Sequence, residues 1–156
     1  MTFEIVSTSP EDTSRIGSSV AKVLEGGEVI ELIGDLGAGK TELVRGLVNS
    51  LDDGVTVQSP SFTISREYRV GDLTIYHYDF YRLGENPGIV GDEIAEALED
   101  PKGVVVTEWA AQDAVHLPTD RLTIQFSLDG DNRRLAIRAG GKRSQDVIKS
   151  LREDLA

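Results

Sequence analysis

The sequence predicts an α/β domain organised around a strand–turn–helix unit. Three observations predict it. The mostly apolar run Val29-Ile30-Glu31-Leu32-Ile33 passes into a glycine-rich turn and then into a helical pattern of apolar residues. A second run, Gly103-Val104-Val105-Val106-Thr107, has the near-continuous apolar character of a strand buried on both faces. Later segments alternate around turn residues, as antiparallel hairpins do. At 156 residues one domain spanning 1–156 is expected, long enough to bury a core and form a cleft.

The elements follow in order. Ser9, Pro10, Glu11 and Asp12 read as a helix start: Ser9 caps, Pro10 suits the first turn, and the acids meet the positive end of the helix dipole. Ile16, Val20, Val23 and Leu24 share one helical face, and Gly26-Gly27 is expected to end that helix. After the strand at Val29, a second helix puts Leu43, Val44, Leu47, Val48 and Leu51 inward. Phe62, Ile64, Tyr68 and Val70 lie in a strand-like stretch interrupted by Arg66; Gly71-Asp72 turns it, and the run from Leu73 to Asp79 returns. Pro87-Gly88 is expected to break the chain, and Asp92 to cap a short helix through Leu98. Leu122, Ile124, Phe126 and Leu128 alternate, residues 129–132 turn, and Leu135 and Ile137 return. Val147, Ile148, Leu151 and Leu155 form a closing amphipathic helix.

Composition excludes several function classes. There is no cysteine, so disulfides, thiolate zinc sites and a cysteine nucleophile are out. A net charge of -11 argues against a chain that grips nucleic acid alone, since such a chain carries a basic face to displace counterions. No apolar run has the length of a membrane span, and the first residues lack the basic-then-apolar pattern of a secretory signal. A cytoplasmic protein without membrane association is expected.

The chemistry centres on Gly34-Asp35-Leu36-Gly37-Ala38-Gly39-Lys40-Thr41, which matches G-x-x-x-x-G-K-[ST]. Its glycines allow successive amides to point inward, and the following helix aims its N-terminus at the same spot. Lys40 would reach the β and γ phosphates, and the Thr41 hydroxyl suits Mg²⁺, a hard cation that takes oxygen ligands. The pattern therefore implies ATP or GTP with Mg²⁺. Such a site also needs a carboxylate for the cation and a group to orient the attacking water. Glu108 and Asp79, each closing an apolar strand-like run, have that placement; a solvated acid at a strand end is the alternative for both. Glu93, Glu96 and Glu99 lie at helical spacing and read as a solvated face, and His77 and His116 read as ordinary polar residues.

With these residues in view, the chain resembles the bacterial TsaE (YjeE) family over essentially its whole length. The resemblance is carried by the phosphate loop, Ser59-Pro60-Ser61-Phe62-Thr63, His77-Tyr78-Asp79-Phe80-Tyr81-Arg82-Leu83 and Glu108-Trp109. The loop alone is shared by many families; the combination is far more specific. The resemblance implies a three-layer P-loop nucleoside triphosphate hydrolase fold, with a central mixed, mostly parallel sheet and antiparallel hairpins. It implies a weak Mg²⁺-dependent ATPase required for threonylcarbamoylation of the tRNA adenosine beside the anticodon. In that family TsaC makes the activated intermediate, and ATP hydrolysis resets the TsaB–TsaD heterodimer; tRNA is met only through the complex. By position, Lys40 binds phosphate, Thr41 and Glu108 hold Mg²⁺, and Asp79 is similar to the family's essential aspartate. Pro10 and Arg133 resemble positions that approach the nucleotide, residues 59–63 resemble a switch-like loop, and Trp109 is a packing or nucleotide contact.

This chain departs from the family's usual pattern in three places. Glu42 stands where a second Thr is common; its backbone belongs to the nucleotide loop, and its side chain is expected to face away from phosphate. Ser61 keeps the hydroxyl of a more usual Thr. Ala110-Ala111 replaces a Pro and an acid or amide. Two other readings share the loop. A small-molecule kinase normally brings an arginine-bearing lid, whereas Arg133-Arg134 is the only adjacent arginine pair here. A non-catalytic switch module would use γ-phosphate to choose between two arrangements.

Overall fold

The computed structural model describes residues 2–35, 37–57, 65–79, 87–109 and 117–155, with only the backbone at 87–90 and 109. Leu36, residues 59–63, residues 80–83, Ala110, Ala111, His116 and the Trp109 side chain lie outside the described set.

The elements are β1 (Thr2–Ser7), α1 (Pro10–Ala21), β2 (Val29–Ile33), α2 (Lys40–Leu51), β3 (Ser65–Val70), β4 (Leu73–Asp79), α3 (Pro87–Glu99), β5 (Gly103–Trp109), β6 (Leu122–Asp129), β7 (Asn132–Ala139) and α4 (Lys142–Asp154). The strands form one sheet in the order β1-β7-β6-β2-β5-β4-β3. Its middle, β6-β2-β5-β4, is parallel, and both flanks are antiparallel. The three-layer mixed α/β architecture expected from the sequence is the one observed.

Side-chain parity explains the layers. On β5, Val104 and Val106 join the larger core, to which Ile16 and Val20 of α1, Leu43 and Leu47 of α2 and Ile148 of α4 also belong. Val105 points the other way, into a smaller core with Ile94 and Ala97 of α3. A strand apolar on both faces must be sandwiched, which accounts for its unbroken valine run. Each fully buried Ile or Leu contributes about 1.5–3 kcal/mol. Glu31 interrupts the apolar run of β2 and is itself buried. Its Oε1 accepts from Arg121 Nε at 3.1 Å and Thr123 Oγ1 at 3.0 Å, so the burial is compensated.

Three expectations need correction. Helix α1 ends at Ala21, well before Gly26-Gly27: Val23 N–H bonds Val20 C=O and Leu24 N–H bonds Ala21 C=O, a tightened last turn. The buried Glu28 carboxylate then accepts from the amides of Glu25 and Gly26, so a side chain stabilises the turn where glycine alone was expected to act. Pro87-Gly88 starts α3; it does not break the chain there. Proline lacks only an N–H that a first helical residue leaves unused, and the helix runs 13 residues through Asp92. Strand β1 was not anticipated; it pairs with β7, setting Ser7 opposite Arg133.

Helices α1 and α2 cross at two glycines. A Cβ on Gly17 would stand 2.0 Å from the backbone oxygen of Leu43, and one on Gly46 1.9 Å from that of Ser14. Backbone cannot yield as a flexible side chain does. Gly46→Ala is therefore expected to push the helices apart and cost about 1–3 kcal/mol. The check is a lower urea midpoint at unchanged m value; an unchanged midpoint would show that the crossing re-seats freely. Since α2 carries Lys40 and Thr41, this contact also sets the height of the phosphate loop.

Candidate phosphate-binding site

The loop leaves β2 at Ile33 and enters α2 at Lys40, at the C-terminal ends of three adjacent parallel strands, where α/β sheets place their ligands. Gly37 has φ 81° and Gly39, the residue before α2, φ 105°. Side-chain-bearing residues rarely adopt either conformation. No side chain caps α2 at Gly39, so its first amides face the loop's mouth and form a natural anion seat.

Register assembles the charged groups. Glu108 lies opposite Leu32 on one side and opposite Asp79 on the other. Asp79 is 7% exposed and Glu108 4%, so neither is a solvated strand-end acid. Lys40 is equally buried, and its Nζ donates to the carbonyls of Gly34 at 2.7 Å and Asp35 at 2.8 Å. Burial holds the ammonium below the usual lysine range; the charges of Glu108, Asp79 and Asp35, in that order, pull the other way. One ammonium thus stands between the loop's own carbonyls and two buried carboxylates.

A cavity of about 200 Å³ opens beside the loop. Its walls include Pro10 at the start of α1, Gly37, Ala38, Gly39 and Glu42 of the loop, and Arg133 of β7. The β1–β7 pairing brings Pro10 and Arg133 to one place although they are far apart in sequence. Ser9 caps α1 by accepting from Asp12 N–H at 3.0 Å, and the Ser7 and Thr13 hydroxyls bond at 2.6 Å, fixing the α1 entrance against the loop. Glu42 forms an ion pair with Arg45 one helical turn on.

The donor set fits Mg²⁺. Thr41, half-buried in the first turn of α2, offers a hydroxyl, and Glu108, on the strand next to β2, offers a carboxylate. The Lys40 ammonium and the uncapped start of α2 are the donor types that a phosphate would require.

His77 was read from the sequence as an ordinary polar residue, and the structure gives it a specific contact. It is fully buried, and its Nε2 is hydrogen-bonded to Oε2 of Glu108. The available signal was parity: His77 and Asp79 are two apart on one strand and so share the face that Glu108 occupies.

The family described as "Threonylcarbamoyl adenosine biosynthesis protein TsaE" matches residues 7–136. The tRNA threonylcarbamoyladenosine biosynthesis protein TsaE of Bacillus subtilis is 37% identical over 145 residues, covering 92% of this chain and 89% of that protein. The protein of the same name from Treponema pallidum is 40% identical over 129 residues, covering 83% and 94%. The crystal structure of Bacillus subtilis YdiB superposes with a TM-score of 0.80 at 32% identity, over 100% of this chain and 97% of that one. By sequence over most of its length and by fold over all of it, this chain belongs to the TsaE family.

Proposed function

We propose that this chain is the ATP-binding and ATP-hydrolysing subunit of tRNA threonylcarbamoyladenosine biosynthesis, resetting a TsaB–TsaD complex and leaving the group transfer to other chains. The observation that carries the ATPase reading is the Lys40 ammonium, already desolvated and held between the loop carbonyls of residues 34 and 35 and the buried pair Asp79 and Glu108. A charge fixed in this way needs little reorganisation when phosphate arrives. The biosynthetic role rests on family membership.

In this reading the loop amides of residues 34–41 and Lys40 hold the β and γ phosphates, and Glu42 contributes its backbone only. Pro10 and Arg133 flank the rest of the nucleotide in the adjoining cavity. Thr41 and Glu108 hold Mg²⁺, which when bound supplies charge neutralisation on the phosphates. Asp79 orients the attacking water and accepts its proton. The net charge of -11 leaves tRNA to be gripped by a partner, in the cytoplasm where that complex works.

The test uses the purified chain with ATP and Mg²⁺. Slow release of phosphate by the chain alone, altered when TsaB–TsaD is added, and association with that pair that depends on the bound nucleotide are the expected results. Absence of association in every nucleotide state overturns the proposal. Transfer of the γ-phosphoryl group to a metabolite, seen by mass spectrometry, would replace it with a kinase.

A further inference from the structure

The α1/α2-facing side of β4 reads Leu73, Ile75, His77, Asp79. The first two are core residues, and the last stands at the phosphate site. His77 is therefore the step where an apolar face becomes a polar one, and it is buried without measurable exposure. An imidazole here costs desolvation that another isoleucine would not, so the ring must recover that cost through a directed contact. Among the described residues it makes one such contact: Nε2 with Oε2 of Glu108. Its Nδ1 faces no hydrogen-bonding group among the described residues, and the Tyr68 ring packs beside it at 6.4 Å between centroids.

From the other side the contact is just as exclusive. Among the described residues His77 is the hydrogen-bond partner of the Glu108 carboxylate, which sits diagonally across the β4–β5 pair, within reach of long side chains. A glutamate has three side-chain torsions to lose, and a buried one that must meet a cation needs them fixed beforehand. A carboxylate acceptor requires Nε2 to be the donor. An imidazole donating from Nε2 fixes which carboxylate oxygen is engaged and so orients the other.

We infer that His77 is the positioning residue for Glu108: it engages Oε2 and so presents Oε1 to the divalent cation of the nucleotide site. The inference rests on the assignment of Glu108 as the metal acid. It gives the first residue of the His77-Tyr78-Asp79 segment a task separate from that of Asp79: one side chain aims the metal acid and the other acts on water.

The experiment measures Mn²⁺ binding by electron paramagnetic resonance, with a non-hydrolysable ATP analogue bound, in His77→Phe, His77→Gln and Glu108→Gln proteins. His77→Phe keeps the ring volume and removes the donor; it is expected to weaken Mn²⁺ by about 10- to 100-fold, the usual cost of losing a group that orients a metal ligand. Metal-free nucleotide affinity should not move, and His77→Gln, which restores an N–H donor, should recover most of the loss. Wild-type Mn²⁺ affinity in His77→Phe beside a weakened Glu108→Gln overturns the inference alone. Wild-type affinity in both removes Glu108 as the metal acid and with it the reading beneath. Should His77→Phe fail to fold, the imidazole ¹⁵N shifts of the wild-type chain decide: an Nε2–H tautomer whose shifts move in Glu108→Gln supports the pairing, and shifts indifferent to Glu108→Gln refute it.

Discussion

Asp79→Asn is expected to bind ATP and Mg²⁺ nearly as tightly as the natural chain and to lose about 10²- to 10⁴-fold in kcat, the range that one positioned proton acceptor supplies. The substitution keeps volume and shape, so the buried end of β4 should hold its register against β5. What it removes is a negative charge and a proton acceptor facing the phosphate loop. Single-turnover hydrolysis reports the loss of rate, and calorimetric titration with ATP reports the retained affinity. Equal turnover would make Asp79 a structural residue. The paired variant Glu108→Gln separates the two acids, because it should lose divalent-cation affinity where Asp79→Asn does not. If the pattern came out reversed, Asp79 would be the metal acid and Glu108 the group acting on water.

The two acids also show where sequence reasoning reached and where it stopped. The phosphate loop was legible because its parts are local: eight contiguous residues between an apolar strand and an amphipathic helix specify the turn and the anion seat. Both acids were legible as ends of apolar runs, but their burial and their juxtaposition depend on which strands are neighbours, and one sequence does not state that. His77 was missed for the same reason, since its partner is 31 residues away on another strand. Strand β1 escaped because its inward residues, Phe3 and Ile5, are few and only partly buried at a sheet edge. That edge strand is nonetheless what seats Arg133 beside Pro10. The start of α3 was misread because Pro-Gly disrupts a helix interior and is tolerated at a helix start, and only the position of the first turn distinguishes the two.

Lys40→Ala is the second large effect, and it should act on two states of the protein. With nucleotide present it removes charge-assisted hydrogen bonds to phosphate worth about 1.5–3 kcal/mol, hence about 10- to 100-fold in ATP affinity. Without nucleotide it removes the donor to the carbonyls of Gly34 and Asp35, so the loop loses contacts that hold its shape before ligand arrives. It also leaves Asp79 and Glu108, opposite each other across β4 and β5, without the ammonium that offsets them. Truncating one member of a buried charge cluster exposes the repulsion of the rest, so the nucleotide-free variant should unfold at lower denaturant than the natural chain. Lys40→Met separates the causes. It restores the buried aliphatic stem and not the charge, and should regain part of the stability and none of the ATP affinity. If Lys40→Met bound ATP as the natural chain does, the ammonium would have no part in phosphate binding, and the loop amides with the α2 N-terminus would carry it alone.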